Sequence, residues 1–281
     1  MNIHWRWRDL TIKLIATDMD GTFLDDDGHY NHLRFQQLMT QMTQRGIRFV
    51  VASGNHYPHL PPYFQDIKGD ITYVSENGAY IVDEKIVLSE DVIAPDLVKK
   101  VLSWRENDAM FKPAWLILSG RQGAYTEMPA SSQRFARSQY FYNNLTSVLN
   151  LNDVKDDIFK LDFTWLNADV SAQEQRFNTA FAGQLRATSS GLGGLDVILP
   201  HVNKAYGLKK LQQKWGISAA ETMAFGDNAN DIEMLHLAKF GYAMANATQR
   251  TQTAAANVTK LDNNHDGVLD VIADHLNREA N

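Results

Sequence analysis

The stretch LIATDMDGTFLDDD, residues 14–27, places Asp18 and Asp20 two positions apart directly after an apolar run. A glycine and a threonine follow the pair at positions 21 and 22. Because Asp and Gly are common in turns, one interpretation is a strand that ends in an acidic turn. The alternative is a pair of carboxylates that performs chemistry at the end of a buried strand. Only the rest of the sequence can distinguish the two.

The composition is that of a globular protein. The chain has 281 residues, of which 44% are hydrophobic and 21% charged, and this excludes wholesale disorder. The length fits one large domain or two ordinary ones. There is no cysteine, so disulfides, thiolate metal sites and cysteine nucleophiles are excluded. The net charge of −6 disfavours non-specific binding to nucleic acid or to an anionic membrane, because both would repel the protein.

The sequence carries no pattern for membrane insertion or export. No apolar stretch approaches the ~20 residues that a membrane span needs. The first residues, MNIHWRWRDLTIK, include charges and tryptophans but lack the apolar centre of a secretory signal. We therefore expect a cytoplasmic protein, and residues 1–12 form a short extension whose role the sequence does not assign.

Both ends of the chain alternate between strand and helix patterns, which is typical of a parallel sheet. Two short runs, at 13–18 and 47–53, predict buried strands, and Gly46 stands where the intervening helix would end. Towards the other end the patterns predict helices at 203–216 and 230–241, strands at 221–227 and 242–246, and a closing helix. We expect an α/β core with a Rossmann-like, doubly wound parallel sheet.

The middle of the chain has an α+β pattern instead. It predicts the strand KIVLSE, a helix over 95–107, a hairpin from AWLILSG and GAYTEM, a helix around 131–144, a strand at 159–166 and a helix over 171–185. We therefore predict a core formed by residues 1–83 and 191–281, interrupted by an inserted α+β cap domain, residues 84–190. The glycines of GLGG, residues 191–194, are interpreted as a flexible joint between the two.

Three polar residues follow predicted core strands directly. Asp18, Ser53 and Asp227 each stand at a strand end. Ligands of open parallel sheets bind at the carboxyl ends of the strands, so these residues can converge although they are distant in sequence. That convergence favours the chemical interpretation of Asp18 and Asp20 over an acidic turn.

The second acidic cluster, AFGDNANDIEM, residues 224–234, allows two interpretations. Gly226 lets a strand turn tightly, Asp227 projects from its end, and Asn230 and Asp231 begin a helix. Asn and Asp also cap helices well, so a simple capping turn is possible. Together with Asp18 and Asp20, however, the cluster supplies hard oxygen ligands, which Mg²⁺ prefers along with a substrate phosphate.

Further groups suited to a phosphate stand in the same segments. Lys204 begins the helix after LDVILPHV, where a lysine is usually a solvated charge but could also contact a phosphate. Ser53 and the amide of Gly54 offer neutral donors to phosphoryl oxygens.

The motifs DMDGT, VVASGN, NKAYGL and GDNANDIEM, in this order, resemble the four motifs of the haloacid dehalogenase superfamily. More narrowly, the chain resembles the Cof-type phosphatases of that superfamily, whose cap is a large insertion between the second and third motifs. The similarity is greatest to its bacterial sugar phosphatases, and it extends over nearly the whole chain after the first dozen residues.

The resemblance implies a role for each motif residue. Asp18 would attack phosphorus and form an aspartyl-phosphate, while Asp20 would protonate the leaving oxygen and later activate water. Mg²⁺ would be held by Asp18, the main-chain carbonyl of Asp20 and Asp227. The phosphoryl oxygens would be bound by Met19, Ser53, Gly54, Lys204 and Asn230, with Thr22, Asn228 and Asp231 in support.

The sequence therefore predicts a Mg²⁺-dependent phosphomonoesterase that acts on small phosphorylated metabolites, above all sugar phosphates. A sugar phosphomutase and a catalytically weak phosphometabolite sensor are the alternatives. One departure concerns Asn55, since many Cof-type sequences have an arginine after the Ser/Thr-Gly pair. An asparagine donates only an amide hydrogen bond, which disfavours strongly anionic substrates. The oligomeric state is left open.

Overall fold

The structure is a computed structural model, and it describes residues 11–166, 169–191 and 193–279. The predicted extension, residues 1–12, lies outside these residues except for its last two, of which Ile12 is fully buried. None of the helices in the described ranges combines the length and the apolar character that a transmembrane span requires.

The described residues form strands and α-helices as follows. The strands are β1 (Leu14–Thr17), β2 (Arg48–Ala52), β3 (Ile71–Ser75), β4 (Tyr80–Asp83), β5 (Ile86–Glu90), β6 (Trp115–Gly120), β7 (Ala124–Thr126), β8 (Leu145–Ser147), β9 (Ile158–Thr164), β10 (Arg186–Gly191), β11 (Gly194–Ile198), β12 (Thr222–Gly226), β13 (Phe240–Ala243) and β14 (Asn257–Val258). The helices are α1 (His32–Gln44), α2 (Pro95–Asn107), α3 (Gln133–Ser138), α4 (Ser171–Ala180), α5 (Lys204–Trp215), α6 (Ile232–Leu237), α7 (Gln249–Ala254) and α8 (Gly267–Glu279).

The first sheet has the strand order β14-β13-β12-β1-β2-β3-β4-β5. The six strands from β14 to β3 are parallel, and β4 and β5 extend the sheet in antiparallel fashion. Strand β1 lies between β2 and β12, so the chain builds the sheet outward from β1 in both directions. This is the order that creates a crevice at the carboxyl ends of the central strands, and the predicted parallel α/β core is confirmed.

Alternate side chains of the central strands cover the two faces of this sheet. Ile15 and Phe49 pack with residues of α1 and α8 on one face, whereas Leu14 and Val50 pack with residues of α5 and α6 on the other. Both faces are therefore buried, which explains why the core strands read as continuous apolar runs.

The second sheet has the order β10-β11-β9-β6-β7-β8 and is antiparallel except for the pair β7 and β8. Leu161 and Phe163 of β9 pack with Val101 of α2 and Phe177 of α4 in one apolar cluster. The alternating residues of β9 point to the opposite face, and three of them are polar. This polar face becomes part of the site described below.

Strand pairing places the crossings between the sheets later than the predicted boundaries. Strand β5 pairs with β4 in the first sheet, and β11 pairs with β9 and β10 in the second. The predicted segment 84–190 therefore includes β5, which belongs to the first sheet, and omits β11, which belongs to the second. Residues 191 and 194 face each other in the β10–β11 hairpin, so the interpretation of GLGG as an interdomain joint is wrong. The division into core and cap domains itself stays a prediction.

Three predicted helices are longer than the observed ones, at 131–144, 171–185 and 230–241. Helix α3 begins where the Ser132 hydroxyl accepts the amide of Phe135, and it ends at Ser138 before an aromatic turn that includes Tyr140 and Tyr142. The helix predicted over 230–241 is shortened at both ends. Asp231 belongs to a 3₁₀ turn before α6, and β13 already begins at Phe240.

Candidate active site

The carboxyl ends of β1, β2 and β12 meet at a cavity of about 410 Å³ between the two sheets. The convergence expected from the sequence is therefore present. Predicted site residues that line the cavity are Asp18, Asp20, Ser53, Gly54, Asp227, Asn228 and Asn230. Four others, Met19, Thr22, Lys204 and Asp231, are buried in the structure and are not part of the lining.

Asp18 is fixed at the end of β1 and is 7% exposed. Its amide donates to the carbonyl of Phe225 on the neighbouring β12, and its Oδ1 accepts a hydrogen bond of 2.7 Å from Nζ of Lys204. Asn203 caps α5 through its side chain, which accepts the amide of Tyr206. Lys204, which belongs to the motif NKAYGL, is the first residue of that helix, and the cap fixes it where its side chain contacts Asp18.

Asp231 anchors this arrangement from the opposite side. Its Oδ1 accepts a hydrogen bond of 2.6 Å from Lys204, and its Oδ2 accepts the amides of Asp227 and Asn228 at 3.0 Å each. A Cβ at position 226 would lie 2.4 Å from the Cβ of Asp231, so Gly226 is required for this close approach. The motif GDNAND therefore forms one locked turn.

Asp227 is oriented by residues of the first motif. The Thr22 hydroxyl donates to Oδ1 of Asp227 at 2.9 Å. Gly21 has a φ of +72° and lies so close that a Cβ there would be 2.9 Å from Oδ2 of Asp227. The sequence DGT, residues 20–22, therefore turns the chain out of β1 and holds the carboxylate of Asp227 in place.

The site carries more negative than positive charge. Carboxylate oxygens of Asp18, Asp227 and Asp231 lie within 4.8 Å of one another. Burial raises the pKa of Asp18 well above its usual value, although Lys204 opposes the shift. Burial, reinforced by Asp231, raises the pKa of Asp227 to about 6. Burial lowers the pKa of Lys204, but its contacts with Asp18 and Asp231 outweigh this and raise it above the usual lysine value.

This donor set fits a hard divalent cation. The clustered ligands are carboxylate oxygens only, and crowded, buried carboxylates whose pKa values are raised are stabilised in their ionised form by a nearby positive charge. Both oxygens of Asp231 already accept hydrogen bonds, so Asp18 and Asp227 are the better ligands. Oxygen-only sites with few carboxylates suit Mg²⁺.

The candidate phosphate-binding residues belong with Asp18 to the first wall of the cavity, which the first sheet forms. The Ser53 hydroxyl accepts the amide of Asn55 at 3.0 Å. A Cβ on Gly54 would lie 3.1 Å from Oδ1 of Asn77, and the Asn230 side chain donates to the same Asn77 oxygen at 3.1 Å. Met19 differs from the others because its side chain belongs to the apolar core, so only its backbone could contact a phosphate.

Sequence reasoning missed the residues that join this wall to the second sheet. Asn77 donates to Asp196 of β11 at 2.6 Å, and Lys160 of β9 donates to the carbonyl of Gly54 at 2.6 Å. Lys160, Asp162 and Asp196 line the cavity together with Thr164. Two signals could have revealed them: the polar alternation in FKLDFT, and the Asn-Gly pair at 77 and 78, which follows β3 after a single residue.

Asn55 also lines the cavity, and its side chain faces the first motif. Its Nδ2 donates to Oδ2 of Asp20 at 2.7 Å. The residue that departs from the common arginine therefore contacts the second carboxylate of the first motif.

The fold and the four converging motifs define a hydrolase with a carboxylate-lined site at the end of a parallel sheet. The chain belongs to the haloacid dehalogenase-like hydrolase family, because the model of that family matches residues 15–272. It is an enzyme of the phosphatase class within this family, as its relatives are.

Three comparisons illustrate the similarity. The chain is 38% identical over 272 residues to a 5-amino-6-(5-phospho-D-ribitylamino)uracil phosphatase of Escherichia coli, covering 96% of this chain and 98% of the relative. It is 29% identical over 242 residues to an HMP-PP phosphatase of Cronobacter sakazakii, covering 84% and 85% of the two chains. A crystal structure of a Streptococcus mutans protein superposes with a TM-score of 0.89 at 36% identity, covering 95% of this chain and 100% of the other.

Proposed function

We propose that the protein is a Mg²⁺-dependent phosphomonoesterase that works through an aspartyl-phosphate. The observation that carries this proposal is the placement of Asp18 and Asp20 in one cavity with Asp227, with Lys204 hydrogen-bonded to the proposed nucleophile. A buried carboxylate held by a cation can attack phosphorus, and an exposed carboxylate two residues later can exchange protons with the leaving group and with water.

The proposed reaction has two steps. A carboxylate oxygen of Asp18 bonds to phosphorus while the bond to the leaving oxygen breaks, and Asp20 gives that oxygen a proton. Water then attacks the aspartyl-phosphate, Asp20 takes a proton from it, and free phosphate and the Asp18 carboxylate are regenerated. Throughout, Lys204 balances the charge of Asp18 and Asp231, while Ser53, Gly54, Asn230 and the backbone of Met19 bind phosphoryl oxygens.

The proposed metal ligands are Asp18, the main-chain carbonyl of Asp20, and Asp227. Thr22 and Gly21 orient Asp227, while Asn228 and Asp231 fix the turn that carries it. When bound, Mg²⁺ would reduce the repulsion between the anionic nucleophile and the anionic phosphate.

We propose phosphorylated sugars and polyols as the substrate class. The cavity wall from the second sheet presents the carboxylates of Asp162 and Asp196 next to the aromatic Tyr142, and carboxylates accept hydrogen bonds from hydroxyl groups. The name of the E. coli relative describes a phosphorylated ribityl chain on a flat ring. A polyol phosphate with an attached ring is therefore the first compound to test alongside simple sugar phosphates.

A panel of phosphorylated metabolites tests the proposal. We expect free phosphate to be released without any added bisphosphate. A requirement for a bisphosphate activator, with transfer instead of release, would identify a phosphomutase. Tight binding of a metabolite without turnover would identify a sensor.

Chelation of divalent cations should abolish the activity, and Mg²⁺ should restore it. The reason is that Asp18 and Asp227 offer hard oxygen ligands, which suit Mg²⁺. Zn²⁺ and Ca²⁺ should support little turnover, because Zn²⁺ favours nitrogen and sulfur ligands and Ca²⁺ needs more ligands at longer distances. Phosphate release measured in excess chelator checks this, and full activity there would contradict the metal assignment.

Asp162→Asn should weaken the use of polyol phosphates without affecting an aryl phosphate. Asp162 lines the cavity and accepts a hydrogen bond of 2.9 Å from Tyr142. Because hydrogen bonds to charged groups contribute ~1.5–3 kcal/mol, we expect a loss of about 10- to 100-fold in kcat/KM for the best polyol substrate. Asp169→Asn, an exposed carboxylate outside the cavity, is the charge-matched control. An equal loss of kcat/KM on phenyl phosphate would show that Asp162 does not bind the leaving group of the substrate.

A further inference from the structure

We propose that Asn55 is a positioning residue that holds the carboxylate of Asp20 at the leaving-group end of the cavity. The inference deepens the proposed function and rests on it, because it assigns Asp20 the proton transfers. It assigns Asn55 to the acid–base group and not to the phosphate, which the arginine common at this position in Cof-type sequences would bind.

The contact itself is short and specific. Nδ2 of Asn55 lies 2.7 Å from Oδ2 of Asp20, and both residues line the cavity. Within the ranges 11–166, 169–191 and 193–279, this is the one hydrogen bond that the structure gives the Asp20 carboxylate. An exposed carboxylate on a turn samples several rotamers unless a partner selects one. Asn55 is that partner.

The backbone of Asn55 is held rigidly enough to act as a support. Its amide donates to the Ser53 hydroxyl at 3.0 Å, and its carbonyl accepts the amide of Glu76 at 3.1 Å. The preceding carbonyl, of Gly54, accepts from the buried Lys160 of the second sheet at 2.6 Å. Elements of both sheets therefore fix the loop from which the Asn55 side chain projects.

The chemistry of the amide suits this task. A single N–H of Asn55 engages one oxygen of Asp20, which leaves the other oxygen free to face the leaving group and then the water. An arginine at this position would form a planar fork that engages both carboxylate oxygens at once. Asn55 therefore orients the carboxylate without occupying the oxygen that transfers the proton.

Two aryl phosphates of almost equal size separate this role from phosphate binding. The leaving group of p-nitrophenyl phosphate needs little protonation, whereas that of phenyl phosphate needs much more. We expect Asn55→Leu, which is similar in size but lacks the amide, to slow the release of phenol from phenyl phosphate in a single turnover roughly 10- to 100-fold, since small misplacements of catalytic groups cost up to ~10²-fold. The single-turnover release of p-nitrophenol from p-nitrophenyl phosphate should change by less than about threefold, because that first step needs little protonation. Inhibition by inorganic phosphate should be unchanged.

Asn143→Leu is the matched control. Its amide contacts Pro58 and His59, next to the same loop, without touching Asp20, so it should leave the ratio of the two substrates unchanged. Asn55→Ala serves as a second variant, and thermal unfolding of each variant reports whether it is folded.

The outcomes distinguish the inference from the proposed function. Absence of turnover by the wild-type protein on both aryl phosphates and on the metabolite panel would overturn the proposed function. Wild-type turnover together with equal losses on both substrates and weaker phosphate inhibition would place Asn55 at the phosphate and overturn only the inference. Unchanged kinetics of folded Asn55→Leu and Asn55→Ala would overturn it as well.

Discussion

Asp18→Asn should reduce turnover to background on every substrate, and no phospho-enzyme should be trapped. The substitution keeps the size of the side chain but removes the attacking carboxylate, which the structure places at the end of β1 within 2.7 Å of Lys204. Loss of a covalent nucleophile costs on the order of 10⁶-fold in kcat. Steady-state phosphate release and acid quenching with radiolabelled substrate measure the two effects.

Asp20→Asn should behave differently, because it retains the nucleophile. We expect sugar phosphates to be hydrolysed roughly 10²- to 10⁴-fold more slowly, which is the usual contribution of a general acid–base group. With p-nitrophenyl phosphate the first step should survive better, and phospho-enzyme should accumulate because water is no longer activated for the second step. The Asn55 hydrogen bond does not compensate, since a carboxamide at position 20 carries no transferable proton.

Asp27→Asn is the control for both variants, since Asp27 is an exposed carboxylate of the same acidic segment with no place in the cavity lining. It should retain the wild-type rates. Equal losses by Asp18→Asn and Asp20→Asn on both substrates, with no trapped phospho-enzyme, would contradict the proposed division of labour between the two carboxylates.

The first wall of the site could be predicted because it follows from local patterns. Asp18, Ser53 and Asp227 each come directly after an apolar strand, and parallel strands that are neighbours bring their carboxyl ends together. The strand order places β1 between β2 and β12, so three short motifs were sufficient to locate the crevice. The position of Lys204 at the start of a helix is equally typical of a solvated charge, and only the resemblance of NKAYGL to the third family motif placed Lys204 in the site.

The second wall of the cavity, which the polar face of the second sheet forms, could not be predicted from local patterns. It depends on contacts between distant parts of the chain. Lys160 reaches the carbonyl of Gly54, and Asn77 reaches Asp196. In a single sequence these residues look like polar positions on an amphipathic strand or in a turn. Only the packing of the second sheet over the first shows that its polar face meets the cavity and not solvent.

The sheet to which each strand belongs could not be predicted for a related reason. Strand β5 is the edge strand of the antiparallel part of the first sheet. Its sequence IVLSE does not reveal which of the two sheets it joins. Glycines 191 and 194 belong to a hairpin, although their composition is equally typical of a linker. Strand pairing is a long-range property, so patterns of a few residues could place the strands but not assign them to a sheet.

Lys204→Met should impair both folding stability and catalysis. The ammonium group of Lys204 is hydrogen-bonded to Asp18 and Asp231, and the side chains are 1%, 10% and 0% exposed. Removing the cation leaves two buried carboxylates without a positive partner, and breaking a buried ion pair in this way costs about 3–5 kcal/mol. Urea unfolding in metal-free buffer should show a loss of this size, and kcat should fall because Asp18 is harder to keep ionised.

The pH dependence of that loss provides a second measurement. Burial already raises the pKa of Asp18 above its usual value despite Lys204, and removal of the lysine raises it further. A carboxylate whose pKa is higher in the folded state than in the unfolded state binds its proton more tightly when folded, so lowering the pH stabilises the fold. The difference between Lys204→Met and the wild-type protein should therefore shrink as the pH falls from about 8 towards 5.

Lys209→Met is the matched control, because Lys209 lies on the same helix, α5, and is exposed. Removing this charge should change the free energy of unfolding by less than about 0.5 kcal/mol at any pH in the range. If Lys204→Met proves as stable as Lys209→Met, the carboxylates of Asp18 and Asp231 do not depend on the lysine for their charge balance. In that case a different cation must hold Asp18 in its ionised form, and Lys204 would lose its proposed part in preparing the nucleophile.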